Sequence, residues 1–193
     1  MKVFIAGASG VIGTRLIPLL INEGHSVVGM TRSKAKMDML HSLGAIPVLC
    51  DVFDTIMLSD TIQNARPDIL IHELTDLPDR TAQLDEFMSR NDRIRRIGTA
   101  NLLKAAEGIP LKSFLVQSVA WELPGDSGKA VLEMEKMVLN AGGIVMRYGR
   151  LYGKGTYATN YLPEPPRVNI EEAVRRTVQL LTHPSGIVTI TDD

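Results

Sequence analysis

The sequence predicts an α/β fold: a doubly wound parallel sheet of about seven strands with helices on both faces. Three observations predict it. Short apolar runs alternate with longer amphipathic stretches along the whole chain. Several of the runs are apolar at nearly every position, as strands covered on both faces are. The first run breaks into glycines and then into an amphipathic stretch, the strand–turn–helix order from which right-handed crossovers build such a sheet.

The candidate strands are KVFIA (2–6), SVVGM (26–30), IPVLC (46–50), DILIH (68–72), SFLVQ (113–117), GIVMR (143–147) and IVTIT (187–191), all rich in Val, Ile and Leu. The first helix covers 11–23, with Ile12, Leu16, Leu19 and Leu20 on one face and Gly24 as its stop. A second runs from Ser33, a good N-cap residue, to 43, before Gly44. The third, 55–65, stops ahead of Pro67, because the residue before a proline is driven out of helical conformation. Residues 82–107 carry one long pattern that ends at Gly108-Ile109-Pro110. Residues 128–141 stop at Gly142-Gly143, and 170–182 begin after Asn169 and stop before Pro184. Between 149 and 168 the chain has three glycines, three prolines and three tyrosines without period, so this stretch is expected as a loop or small lid on a single domain, 1–193.

Composition narrows the function classes. With 193 residues, 45% hydrophobic and 22% charged, the chain can bury a full core without staples. A net charge of −1 gives no overall field toward nucleic acid or an acidic membrane surface. No run reaches the roughly 18 apolar residues of a membrane span, and the start MKVFIAG does not read as a signal peptide. The lone cysteine, Cys50, excludes an internal disulfide and closes an apolar strand, where a buried inert thiol is expected. A cytoplasmic protein is the expectation.

The glycine-rich turn carries the first chemistry. Gly7 is placed to make the turn off the strand, Gly10 to let a pyrophosphate approach the backbone, and Gly13 to let the helix pack on the sheet. The helix start offers unpaired amides and a partial positive charge to phosphates. Ser9, Val11 and Ile12, between these glycines, are counted with them as cofactor-binding positions. The alternative is a purely structural tight turn.

The spacing G-x-x-G-x-x-G, taken with later segments, resembles the extended and atypical short-chain dehydrogenase/reductases, the NAD(P)-dependent epimerase/dehydratase family. GASGVIG is similar to its dinucleotide turn, GAIPVLCDVFD to its third strand, PDILIHELTD to its fourth, GTANLLKAA to the helix that follows, and RYGRLYGKGT to its sixth strand and loop. The resemblance spans nearly the whole chain and implies a Rossmann fold, a nicotinamide cofactor, and Asp51 and Val52 beside the adenine. The alternative for Asp51 is a turn or helix cap.

An acid at the end of the second strand selects NAD by binding the ribose hydroxyls. Here that strand runs into Thr31-Arg32-Ser33-Lys34, with no acid before Asp38. A guanidinium at that place suits a 2′-phosphate, so NADP is preferred over NAD and Arg32 is the selecting residue. The alternative is a solvated helix start, which a basic first turn makes unfavourable against the helix dipole.

The resemblance implies a Ser/Thr, a Tyr and a Lys for proton transfer, the Tyr four residues before the Lys on one helix. Ser118, at the end of the fifth strand, is the candidate for the first; its alternative is a hydroxyl bonded to the backbone. The Tyr is missing. Aligned on Lys129, its position is Gly125; aligned on Glu135, Lys falls on Val131 and Tyr on Ser127. Lys129 stands as a ribose contact or as a solvated lysine. Tyr148, beside the expected nicotinamide, and His72, at the end of the fourth strand next to Glu73, are substitute proton donors; a satisfied core histidine is the alternative for His72. No metal site is expected.

The substrate region is short, so a small molecule is the expected substrate. The basic run SRNDRIRR (89–96) lacks the aromatic interleaving of a nucleic-acid surface, and the 82–107 helix is a candidate homodimer face, as in relatives. The preferred function is an NADP-binding oxidoreductase moving hydride to or from a small carbonyl or alcohol, with Ser118 polarising the oxygen. A non-catalytic NADP(H) sensor or interaction module is the alternative, and an NAD-dependent sugar epimerase or dehydratase the third.

Overall fold

The computed structural model describes residues 1–78 and 84–192. Its main strands are β1 (Lys2–Ala6), β2 (Ser26–Thr31), β3 (Ile46–Leu49), β4 (Ile69–His72), β5 (Ser113–Val119), β6 (Ile144–Tyr148) and, after two short strands, β9 (Gly186–Ile190). These seven form one parallel sheet in the order β3-β2-β1-β4-β5-β6-β9. The two short strands, β7 (Arg150–Tyr152) and β8 (Arg167–Asn169), pair separately. The expected fold class is what the chain adopts.

The order reverses direction next to β1. The chain moves outward through β2 and β3, then returns to pair β4 with the other side of β1, Ala6 beside both Met30 and His72. That switch point leaves a crevice at the carboxyl edge, where ligands bind in such sheets.

The helices divide between two buried layers because successive strand residues point to opposite faces. On one side Val3, Ile5, Ile71, Leu115, Met146 and Tyr148 pack on α1 (Gly13–Asn22) and α7 (Ile170–Gln179). On the other, Phe4, Leu70, Phe114, Val116 and Val145 pack on α3 (Thr55–Ala65), α5 (Thr99–Ala105) and α6 (Gly125–Asn140). α2 (Met37–Ser42) lies on the first side through Leu40.

Three boundaries depart from the sequence reading. The Ser33 side chain makes no cap; a short 3₁₀ turn, Lys34–Lys36, precedes α2. The 82–107 pattern is not one helix: α4 (Leu84–Arg93) passes through a π-wound turn, Ile94–Gly98, into α5, and positions 82 and 83 lie outside the described residues. A π turn shifts the helical phase, which a 3.6-residue pattern does not register. α6 starts three residues earlier than the sequence pattern, at Gly125 just after Pro124.

Candidate functional site

The glycine turn leaves β1 at the switch point. Gly7 takes φ +92°, the left-handed region that a side chain disfavours. A Cβ there would stand 2.5 Å from the Glu73 carbonyl oxygen, and one at Gly13 would stand 2.6 Å from the carbonyl oxygens of Gly7 and Ala8. These two glycines are therefore needed to build the turn. Gly10 differs: it is exposed, and a Cβ would meet only Gly7 O, at 3.3 Å. The space above Gly10 is open.

Few backbone bonds close the turn. Gly10 N donates to Gly7 O at 3.0 Å, Thr14 N to Gly10 O at 3.0 Å and Ala8 N to Met30 O at 3.2 Å. The Ser9 hydroxyl lies 3.0 Å from that of Thr31. Among the described residues, the amides of Ser9, Val11 and Ile12 have no backbone acceptor, and no side chain caps α1. Ile12 and Ala8 pack their side chains into the core, leaving their backbone at the edge. This cradle of glycine and unpaired amides has the donor set a diphosphate requires.

At the far end of the crevice Arg32 donates to Asp76 Oδ1 at 2.7 Å. Arg90, from α4, donates to the other oxygen of Asp76 at 2.8 Å. Burial pushes Asp76 up, but the two guanidiniums outweigh it and hold the carboxyl below its usual range. Arg32 remains half exposed and its pKa is raised by the Asp76 bond. Asp51 is exposed and accepts Phe53 N at 2.9 Å, the cap its alternative reading gave; Val52 is buried, its carbonyl accepting from Asn101 Nδ2 at 2.9 Å.

Ser118 is buried and donates to Glu135 Oε1 at 2.6 Å. Glu135, on α6, also takes two bonds from Arg147, at 2.8 and 2.6 Å. A hydroxyl whose only proton goes to a carboxylate cannot at once donate it to a substrate oxygen. The geometry thus departs from the expected role of Ser118, and the partner is a side chain rather than the backbone. Ser127, Val131 and Glu135 share the buried face of α6 at four-residue spacing. Lys129, two residues beyond Ser127, is exposed, as its reading as a solvated lysine has it. Ser127 donates to Asp92 at 2.6 Å and lines a cleft of about 560 Å³ between α4 and α6, with Met88, Arg93, Arg96 and Ile97.

His72 and Tyr148 are both sealed. His72 Nδ1 accepts the Leu74 amide at 3.2 Å, so Nε2 carries the proton toward Thr99 Oγ1 at 3.1 Å. Burial lowers its pKa to about 3, so it stays neutral. Tyr148 Oη lies 2.6 Å from Thr177 Oγ1 and 3.2 Å from Glu73 Oε1, on the α1/α7 side of the sheet. Its pKa is raised well above the usual value by burial and by Glu73. Both side chains are engaged inside the core, which departs from their expected role as substitute proton donors and fits the alternative of a satisfied core histidine for His72. Glu73 itself is pushed up to about 8 by burial.

Sequence reasoning did not find Asp76, Arg90, Glu135 or Arg15 as site residues. Arg15 donates to Val11 O at 2.9 Å, to Lys154 O at 2.5 Å and to Glu171 at 2.8 Å. It ties the 149–168 segment to the glycine turn, and Tyr157 donates to Pro78 O across the crevice. These partners come from distant chain segments, so no local pattern announces them.

A family model described as the NAD dependent epimerase/dehydratase family matches residues 3–179. Among curated proteins, 3-diazoavenalumate denitrifying reductase of a Streptomyces species is 30% identical over 180 residues, 81% of this chain and 58% of the reductase. The chain thus spans 58% of the length of that relative. A Dictyostelium discoideum sterol-4-alpha-carboxylate 3-dehydrogenase, decarboxylating, is 32% identical over 90 residues, 47% of this chain and 27% of the enzyme. Among solved structures, the UDP-glucose 4-epimerase of Thermus thermophilus in complex with NAD aligns at TM-score 0.81 with 15% identity, covering 99% of this chain and 78% of the epimerase. Bacillus cereus UDP-glucuronic acid 4-epimerase aligns at 0.78 with 19% identity, covering all of this chain and 78% of its own.

Proposed function

The chain belongs to the NAD dependent epimerase/dehydratase family, and from that premise we propose that it binds NADP(H) across the glycine turn and reduces or oxidises a small molecule. The observation that carries this reading is the open cradle at Gly10: exposed backbone and unpaired amides at the switch point. Ser9, Val11 and Ile12 donate their amides to the diphosphate. Arg32 stands at the ribose end with no acid in its place, and a guanidinium there complements a 2′-phosphate. When bound, the nicotinamide supplies or accepts hydride. The 149–168 segment, held by Arg15 and Tyr157, acts as a lid over the crevice.

The protein's own residues supply no Tyr–Lys dyad on α6, where Ser127 and Val131 stand. The proton that accompanies hydride is therefore drawn from water. A reductase among the relatives supports this reading. A non-catalytic NADP(H) module is the second reading, favoured by one observation: the hydroxyl of Ser118 and the ring of His72 are both engaged inside the core. An NAD-dependent epimerase is disfavoured by Arg32 at the ribose end. A cytoplasmic site of action fits the reduced buried Cys50. No described helix is long and apolar enough to cross a membrane. A homodimer through the 82–107 stretch and the neighbouring α6 fits the exposure of Ile97 in the π turn and of Leu132 on α6.

Fluorescence titration with NADPH and NADH tests the cofactor reading. Arg32→Ala is expected to weaken NADPH about tenfold or more and NADH little, the scale of one charge-assisted contact. Equal loss for both would overturn the 2′-phosphate assignment. Absorbance change with a panel of small carbonyl compounds then separates the enzyme from the binding module.

A further inference from the structure

Among the described residues, Glu73 Oε2 is the one buried side-chain polar atom with no hydrogen-bond partner. Its other oxygen, Oε1, accepts from the Tyr148 phenol at 3.2 Å, and the phenol lies 2.6 Å from Thr177 Oγ1, where either hydroxyl can be the donor. Thr177 Oγ1 also reaches Ala173 O at 2.9 Å. An ionised Glu73 would leave Oε2 as a buried charged oxygen with no partner, a cost that the neutral acid lessens.

The position of this acid is what gives it a function. Glu73 N donates to Ala6 O at 2.8 Å, and its carbonyl is the atom that forbids a side chain at Gly7. The Glu73 backbone is therefore built against the turn whose amides receive the diphosphate, and its carboxyl group lies beside Tyr148 on the α1/α7 side of the sheet. We propose that Glu73 is a positioning residue for that turn, neutral when the diphosphate is bound, so that dinucleotide and proton are taken up together. This rests on the dinucleotide reading given above.

Among the described residues, no other titratable group but the Tyr148 phenol faces the Glu73 carboxyl. β1 and the turn contribute no titratable side chain there. α1 turns Gly13, Leu16, Ile17 and Leu20 inward, while Arg15 engages Glu171. α7 presents Thr177; its Glu172, Arg175 and Arg176 pair with one another on the outer side. β6 presents Tyr148, which stays protonated. His72 faces the opposite layer. Burial places the Glu73 transition at about 8, so the linkage falls above neutral pH, where the 2′-phosphate is already ionised. A diphosphate favours the neutral acid, and by reciprocity the neutral acid favours the diphosphate. An ionised Glu73 would set a buried like charge against the anion, and the expected weakening is about tenfold.

Calorimetric titration of the full chain with NADPH, from pH 7 to 9.5 in buffers of different ionisation enthalpy, tests this. The expected result is no proton uptake at pH 7, uptake of a fraction of a proton near pH 8.5, and affinity falling about tenfold by pH 9.5. Glu73→Gln is expected to bind without uptake and with flat affinity, and Tyr148→Phe to retain the uptake. Proton-free binding by the native chain across the range overturns the proposal while leaving the dinucleotide reading intact. Uptake that persists in Glu73→Gln overturns it as well. Failure to bind NADPH at every pH removes the dinucleotide reading and this inference with it.

Discussion

His72 and Glu73 are neighbours in the chain and opposites in charge behaviour. Both are buried and neutral, one facing each layer of the fold. Glu73 ionises near 4.5 when unfolded and near 8 when folded. Between these values the folded chain keeps a proton that the unfolded chain releases, so stability falls as pH rises from 4.5 to 8. His72 acts at the acid side: its folded value of about 3 lies below its usual 6.5, so stability is lost as pH falls from 6.5 toward 3. From pH 6.5 to 8 Glu73 acts alone of the two. Urea unfolding over that window is expected to show the native chain losing roughly 2 kcal/mol and Glu73→Gln losing none of it. Ser118→Ala removes a buried bond to a carboxylate and is expected to cost about 1.5–3 kcal/mol, several degrees in Tm, without changing NADPH affinity. A Ser118→Ala protein of native stability would contradict its placement against Glu135. The sequence made the strand-end position of Ser118 legible, and even the Glu135 register of α6. It did not reveal that the two residues meet, because that contact depends on how α6 lies across β5.

At the scale of elements, the glycine turn separates building from binding. Gly13→Ala drives a methyl into two carbonyl oxygens and is expected to lower Tm strongly. Gly10→Ala meets one oxygen at a tolerable distance and projects into the open cradle. It is expected to leave Tm within a few degrees and to weaken NADPH at least tenfold; unchanged affinity would mean the cradle does not hold the diphosphate. The alternation of strands and helices was readable because burial on both faces demands uninterrupted apolar runs. The break in the long 82–107 pattern was not, since Ile94 and Gly98 within the π turn and Thr99 just after it are all buried and keep the inward stripe continuous. The 149–168 segment was readable as irregular from its Gly, Pro and Tyr content, while its attachment through Arg15 and the short β7–β8 pair required the fold.

For the molecule as a whole, the strand order places both ends of the crevice within one sheet. The glycine turn, the Arg32–Asp76–Arg90 cluster and the 149–168 segment all gather at its carboxyl edge. The fold class was legible along the chain; the candidate site was legible only where glycine carries it locally. If α4 and α6 form a dimer face, Leu132→Glu, at an exposed apolar position, is expected to convert a sedimenting dimer to monomer while leaving NADPH binding unchanged. The central claim is that a dinucleotide lies with its diphosphate on the amides between Gly7 and Gly13. Hydrogen–deuterium exchange with and without saturating NADPH measures this directly. Slowed exchange at Ser9 to Ile12 is the predicted result; saturable NADPH binding that leaves those amides exchanging at their free rate would contradict it.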